Sequence, residues 1–107
     1  MGFFSALFGS NDKNNQLAKA IEDGAYLIDV RTPGEFAGGS VKGAVNIPLD
    51  RIQVEMSKIK GKNNIVVFCR SGVRSSQAKK ILEQNGLQHV VNGGTWKNVN
   101  QVVNNTK

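Results

Sequence analysis

The feature that most constrains this chain is the stretch Asn64 to Cys69, "NIVVFC". It is apolar and β-branched throughout, with no polar alternation, so it predicts a strand covered on both faces rather than one with a wet side. A strand of that kind needs neighbours of the same kind and helices on either side of the sheet. The rest of the chain supplies both. "AYLIDV", "AVNIP" and "HVVN" are further short apolar runs. Between them lie segments with helical spacing: Leu17, Ala20 and Ile21 within Gln16 to Asp23; Ile52, Met56 and Ile59 within Leu49 to Ile59; and Ala78, Ile81 and Leu82 within "SSQAKKILEQNG". One helical turn is expected from Glu35 to Gly39. A last helix is expected after Thr95, with Trp96, Val99 and Val103 turned inward. Alternating strands and helices predict an α/β fold in three layers, α/β/α, around a mainly parallel sheet of four to five strands.

Pro, Gly and polar clusters punctuate these elements. Thr32-Pro33-Gly34 is turn chemistry, Gly38-Gly39 and Gly93-Gly94 read as stops, Pro48 ends a strand, and Gly86 suits a helix C-terminus. Residues 1–15 divide into an apolar start and a polar linker, "SNDKNN", leaving residues 16–107 as the domain. At 107 residues the chain holds one core and not two.

In open parallel sheets ligands bind beyond the carboxyl ends of the strands. Asp29 and Cys69, the only cysteine, both fall at such ends. Cys69 opens the loop "CRSGVR" and a helix follows at once. A helix N-terminus presents unpaired N–H groups and a positive dipole end, and a tight turn gathers further N–H groups into an anion nest. Ser71 and Gly72 are small enough for the backbone to wrap closely, and Arg70 and Arg74 add positive charge. Together these favour a thiolate at Cys69 over a thiol. An inert buried cysteine would not explain two arginines and a glycine within the next five residues.

Charge points the same way. Residues 1–56 carry five Lys and Arg against seven Asp and Glu; residues 57–107 carry nine against Glu83 alone, within a net charge of +6. The basic half contains the cysteine, which suggests an anionic ligand or an acidic partner. Taken alone, Lys58, Lys60 and Lys62 fit an ordinary solvated face equally well. One cysteine excludes an internal disulfide, and one cysteine with one histidine cannot build a zinc site.

No run approaches the length of a membrane-spanning helix. The start, "MGFFSALFGSNDKNN", lacks a basic leader region, and Ala6 breaks the myristoylation pattern. Phe3, Phe4, Leu7 and Phe8 form one apolar helical face, for docking on the domain or for a weak contact with a membrane or partner. A cytoplasmic protein is the expectation.

Three ordered motifs carry a resemblance. "LIDVRTPGEFAGGSVKGAVNIPL", "VVFCRSGVRS" and "NGGTWKN" resemble, in order, the N-terminal signature, the active-site loop and the closing segment of the rhodanese family of single-domain sulfurtransferases. The likeness runs from about Gln16 to Val103. It implies a rhodanese-like fold and a Cys69 thiolate that takes the outer sulfur of thiosulfate or a persulfide, holds it as a persulfide, and gives it to cyanide or a thiol. Arg70, Ser71, Gly72, Val73 and Arg74 would bind the donor, the two arginines holding its anionic end. The implied acceptor is a thiol, such as that of a thioredoxin-like protein, with a monomer acting without cofactor, metal or nucleic acid and without firm membrane association.

The family is similar in fold to cell-cycle dual-specificity phosphatases, whose loop is one residue longer to admit a tetrahedral phosphate. Cys69 to Arg74 has the sulfurtransferase length, which disfavours a phosphatase or arsenate reductase. A non-catalytic persulfide carrier or interaction domain of the same fold is the other reading. Asp29 and Arg31 have the spacing of a structural ion pair locking the turn near the site. His89 is expected at the surface, at the far end of a strand, and Trp96 in helix-to-sheet packing. Ser40 departs from the family's usual histidine, which bears on how the loop after Gly39 is held.

Overall fold

The run Ile65–Cys69 forms β3, and all five of its residues are buried. The computed structural model describes residues 12–106. In it β3 lies between β1 (Tyr26–Asp29) and β4 (Val90–Thr95), with β2 (Val45–Asn46) beyond β1. All three pairings are parallel, giving a four-stranded sheet in the order β2-β1-β3-β4. The expected parallel sheet is therefore present, at the lower of the two strand counts among the described residues.

Alternate side chains of β3 divide the core. Ile65, Val67 and Cys69 face a cluster with Ile28, Val30, Ile52, Met56, Ile59, Ala78 and Leu82. Val66 and Phe68 face another with Leu17, Ala20, Leu27, Val41 and Val99. The first side is covered by α3 (Met56–Ile59) and α4 (Val73–Gln84), the second by α1 (Asp12–Glu22) and α5 (Trp96–Asn105). At roughly 25 cal/mol per Å² of apolar surface, such two-sided burial is the main force holding β3 central.

Several boundaries differ from the sequence reading. Residues 12–15 belong to α1 rather than to a linker. They are polar because Asn14 and Asn15 lie on its exposed side, and polarity alone does not end a helix. The apolar face of residues 3–8 lies outside the described residues. The expected helix from Leu49 to Ile59 is interrupted: a 3-10 turn, Leu49–Arg51, precedes α3. Ile52, Met56 and Ile59 are all buried as expected, but their spacing is also met by a tighter winding with three-residue bonds, such as Ile52 N–H to Leu49 O and Lys58 N–H to Glu55 O. Val54, β-branched and 65% exposed, gives no packing that would hold a regular helix there.

β4 continues through Gly93-Gly94 by a bulge: Asn92 pairs with Val67 and Gly94 with Phe68, leaving Gly93 unpaired. A Cβ on Gly93 would stand 2.5 Å from Val99 Cγ2 and 3.1 Å from Val66 Cγ1, so this glycine is required by the approach of α5 to the sheet. Thr95 caps α5 by accepting from Asn98 N–H, as its sequence position suggests.

Candidate active site

The β1 end of the site is a closed polar lock. Asp29 and Arg31 are both buried, and Arg31 Nη2 lies 2.7 Å from Asp29 Oδ2. Arg31 Nε and backbone N–H also donate to Asp29, and Arg31 Nη2 donates to Gly39 O at 2.6 Å. Ser40 Oγ donates to Asp29 Oδ2 at 2.6 Å, so the serine itself ties the segment after Gly39 to the lock. Asn46 Nδ2 bridges Asp29 O and Arg31 O from β2. Trp96 stands over the Arg31 guanidinium, 5.1 Å from its ring centre, and packs with the Val66 and Phe68 cluster. These contacts make a buried ion pair with its hydrogen bonds satisfied, as the spacing of Asp29 and Arg31 suggests.

A short helix, α2 (Pro33–Ala37), follows. Thr32 and Glu35 form a reciprocal capping box, and Pro33 occupies the first helical position, where its missing N–H costs nothing. Glu35 also reaches across the site. Arg74 Nη1 and Nη2 donate to its two carboxylate oxygens at 2.8 and 3.1 Å. Bonds from Arg74 and from Thr32, partly opposed by burial, lower the Glu35 pKa to about 2. Arg74, expected from the sequence to offer its charge to a donor, has its fork engaged by a bidentate carboxylate. Arg70, exposed at the start of the loop, forms no ion pair among the described residues.

Cys69 is the last residue of β3 and has no exposed surface. Three residues carry the chain from it to α4. Gly72, the cap of that helix, has φ +96° and ψ −9°, a left-handed conformation that a side chain would strain. That conformation aims the Gly72 N–H at Cys69 Sγ, 3.0 Å away. Ser71 Oγ accepts from Val73 N–H at 3.5 Å, and the Val73 side chain points to solvent, 63% exposed.

Beneath the sulfur lies Ser75, fully buried, its Oγ 3.5 Å from Sγ. Burial pushes the Cys69 thiol up, but hydrogen bonds outweigh it. The Ser75 hydroxyl and the N–H groups of Ser75, Gly72 and Ser71 hold the pKa below its ordinary value. Of the loop N–H groups expected to gather at the sulfur, that of Gly72 stands at 3.0 Å from it.

Two participants escaped the sequence reading. Ser75 shares the buried face of α4 with Ala78 and Leu82, and a serine on an apolar face was the available signal. Asn92 of β4 accepts from Ser75 Oγ at 2.7 Å and from Gly94 N–H at 2.9 Å, and its amide donates to Gly72 O at 3.4 Å. Nothing in "HVVN" marks that residue. Among the described residues no group of three or more His, Cys, Asp or Glu is gathered to hold a metal ion, and no helix is long and apolar enough to cross a membrane. His89 is exposed, in a groove of about 760 Å³ at the opposite end of β4 from the loop.

The site is thus a buried cysteine at the end of a central parallel strand, accepting the Gly72 N–H where the next helix begins. The chain belongs to the rhodanese-like domain family, whose model matches residues 13–98. It is 40% identical over 76 residues to the thiosulfate sulfurtransferase PspE of Escherichia coli, covering 69% of this chain and 73% of that one. It is 42% identical over 66 residues to a sulfurtransferase of Allochromatium vinosum. That match takes in 62% of this chain, and the chain spans only 62% of that relative's length. Among solved structures, a rhodanese with anions from E. coli superposes with a TM-score of 0.64 at 37% identity, covering 69% of this chain and 89% of that one.

Proposed function

We propose that the protein is a sulfurtransferase that takes a sulfane sulfur from a small anionic donor such as thiosulfate, holds it as a Cys69 persulfide, and delivers it to a thiol or to cyanide. The observation that carries this reading is the Gly72 N–H 3.0 Å from Cys69 Sγ, within a loop that lowers the thiol's pKa. In the first half-reaction the thiolate attacks the outer sulfur of thiosulfate. A Cys69 Sγ–S bond forms, the S–S bond of the donor breaks, and its electron pair leaves with sulfite. The negative charge now rests on the outer sulfur, where the loop N–H groups stabilise it as an oxyanion hole would. In the second half-reaction the acceptor attacks that sulfur and the thiolate returns. This is covalent, two-step catalysis.

Arg70 is the residue to hold the donor's anionic end, and Arg74 fixes the loop by clamping Glu35. Because Cys69 has no exposed surface at rest, the donor's outer sulfur enters only as the loop yields around Gly72. Loop length supports sulfur over phosphate, since Cys69 to Arg74 lacks the extra residue of the related phosphatases. The relatives also include a protein of Bacillus subtilis named a putative sulfur carrier, 27% identical over 71 residues and spanned by this chain over 38% of its length, which keeps a carrier role as the second reading. Turnover separates the two. Wild type should convert thiosulfate and cyanide to thiocyanate and sulfite over many cycles, and Cys69→Ser should not. A folded wild type that loads one sulfur but never turns over would be a carrier.

A further inference from the structure

The hydroxyl of Ser75 has one proton and three neighbours that would take it. Asn92 Oδ1 lies at 2.7 Å, Gly72 O at 3.1 Å and Cys69 Sγ at 3.5 Å. Ser75 and Cys69 are both without exposed surface. With the sulfur protonated, the arrangement is self-consistent in one direction: the thiol donates to Ser75 Oγ, and Ser75 donates to Asn92 at the shortest of the three distances. With the sulfur ionised, the thiol proton is gone and the sulfur becomes the strongest acceptor in reach. A turn of the Ser75 hydroxyl about its own C–O bond then carries its proton from Asn92 to Sγ.

We propose that Ser75 is a hydrogen-bond switch for Cys69, with Asn92 as the resting acceptor that competes with the sulfur for the one proton. Resting on the sulfur-transfer reading, this gives Ser75 a part in one half of the cycle in particular. In the persulfide the negative charge lies on the outer sulfur and Sγ is bonded to it, so the Ser75 proton returns to Asn92. When the acceptor takes the outer sulfur, the Sγ–S bond breaks and its electron pair goes to Sγ. Ser75 then turns to meet the forming thiolate. Ser75 is a catalytic residue in this scheme because it touches a reacting atom. Asn92 acts through Ser75 and is a positioning residue.

The roles predict opposite signs. Ser75→Ala removes a donor to the thiolate and should raise the Cys69 pKa by about one unit, a tenfold change in the thiolate equilibrium. Asn92→Ala removes the competitor and should lower it. In the Ser75→Ala background Asn92→Ala should change it by less than either single substitution. Ser75→Thr keeps a hydroxyl and should keep the wild-type pKa. The charged groups on surrounding elements are the same in every variant: Asp29 at the end of β1, Arg31 after it, Glu35 of α2, Arg70 of the loop, Arg74 and Lys79 of α4 and Lys97 of α5.

The experiment is a pH titration of thiolate absorbance, or of the alkylation rate by a haloacetamide, on folded protein. It reads the switch whether or not the protein transfers sulfur. Should Asn92→Ala not fold, Asn92→Asp replaces it. Its carboxylate binds the Ser75 proton more tightly, so it should raise the pKa more with Ser75 present than in Ser75→Ala. A second readout is preloaded persulfide protein mixed with cyanide. Ser75→Ala makes Sγ a poorer leaving group and should slow that step about threefold, whereas thiosulfate attack above the thiol pKa should not slow. An unmoved pKa in Ser75→Ala, or equal shifts from the Asn92 change with and without Ser75, would overturn the switch.

Discussion

Replacing Gly93 by alanine tests the packing that brings β4 to the cysteine loop. The added Cβ would lie 2.5 Å from Val99 Cγ2, against a carbon contact distance of about 3.5–4.0 Å. Val66 Cγ1 stands at 3.1 Å on the other side, and both valines are fully buried. The overlap of about 1 Å cannot be absorbed by a flexible side-chain end, because valine has one stiff χ1 and α5 is held on the same cluster. Overpacking of this kind costs about 1–3 kcal/mol. Alanine also restricts the unfolded chain, returning about 0.4–1 kcal/mol, since Gly93 is not in the left-handed region. The net loss should be about 1–2 kcal/mol. With a urea m-value of about 1–1.5 kcal/mol/M for a domain of this size, the unfolding midpoint should fall by about 1 M. Val99→Ala alone should also destabilise, by opening a cavity. The double variant Gly93→Ala/Val99→Ala should be more stable than the sum of the two losses allows, by about 1 kcal/mol or more, because the clashing methyl has gone. Additive losses would refute the claim that this one contact demands glycine.

Arg70→Ala should raise the KM for thiosulfate while leaving reaction with a small neutral disulfide unchanged. Arg74→Ala should depress both reactions and lower the urea midpoint, and a loss confined to thiosulfate would return Arg74 to the donor site. Asp29→Asn leaves the Arg31 guanidinium buried against a neutral amide and should cost about 3–5 kcal/mol in chemical unfolding; a change under 1 kcal/mol would mean that the pair is not held as described. Glu35 has a folded pKa of about 2 against an ordinary 4.5, so its contribution to stability is fully present above pH 4.5 and is lost as pH falls from there toward 2. Part of the wild-type acid destabilisation in that window should therefore be missing in Glu35→Gln, and superimposable stability profiles would contradict it.

The three-layer fold was legible because β3 is apolar on both faces, a pattern with few outlets other than the centre of a parallel sheet. Cys69 at its end and Gly72 in the turn were legible for the same reason: a buried strand running directly into a helix leaves the loop between them little freedom. What escaped depended on distances between separate elements. Glu35 lies 39 positions before Arg74, and only their ion pair shows that the arginine is already occupied. Asn92 meets Ser75 just before the bulge at Gly93, and the sequence "NGG" reads as a stop until the pairing of β4 with β3 is seen. The capping box at Thr32 and Glu35 was readable in principle, as Thr-x-x-Glu, but the intervening Pro-Gly reads as a turn. The break between Arg51 and Met56 was not readable, because the buried positions suit either winding.

The most direct test of the central claim is the intact mass of the protein before and after exposure to thiosulfate, for wild type and for Cys69→Ser. Wild type should gain the mass of a single sulfur atom and lose it again on addition of cyanide, while folded Cys69→Ser should gain nothing. A folded wild type that takes up no sulfur, or a Cys69→Ser variant that does, would contradict the account.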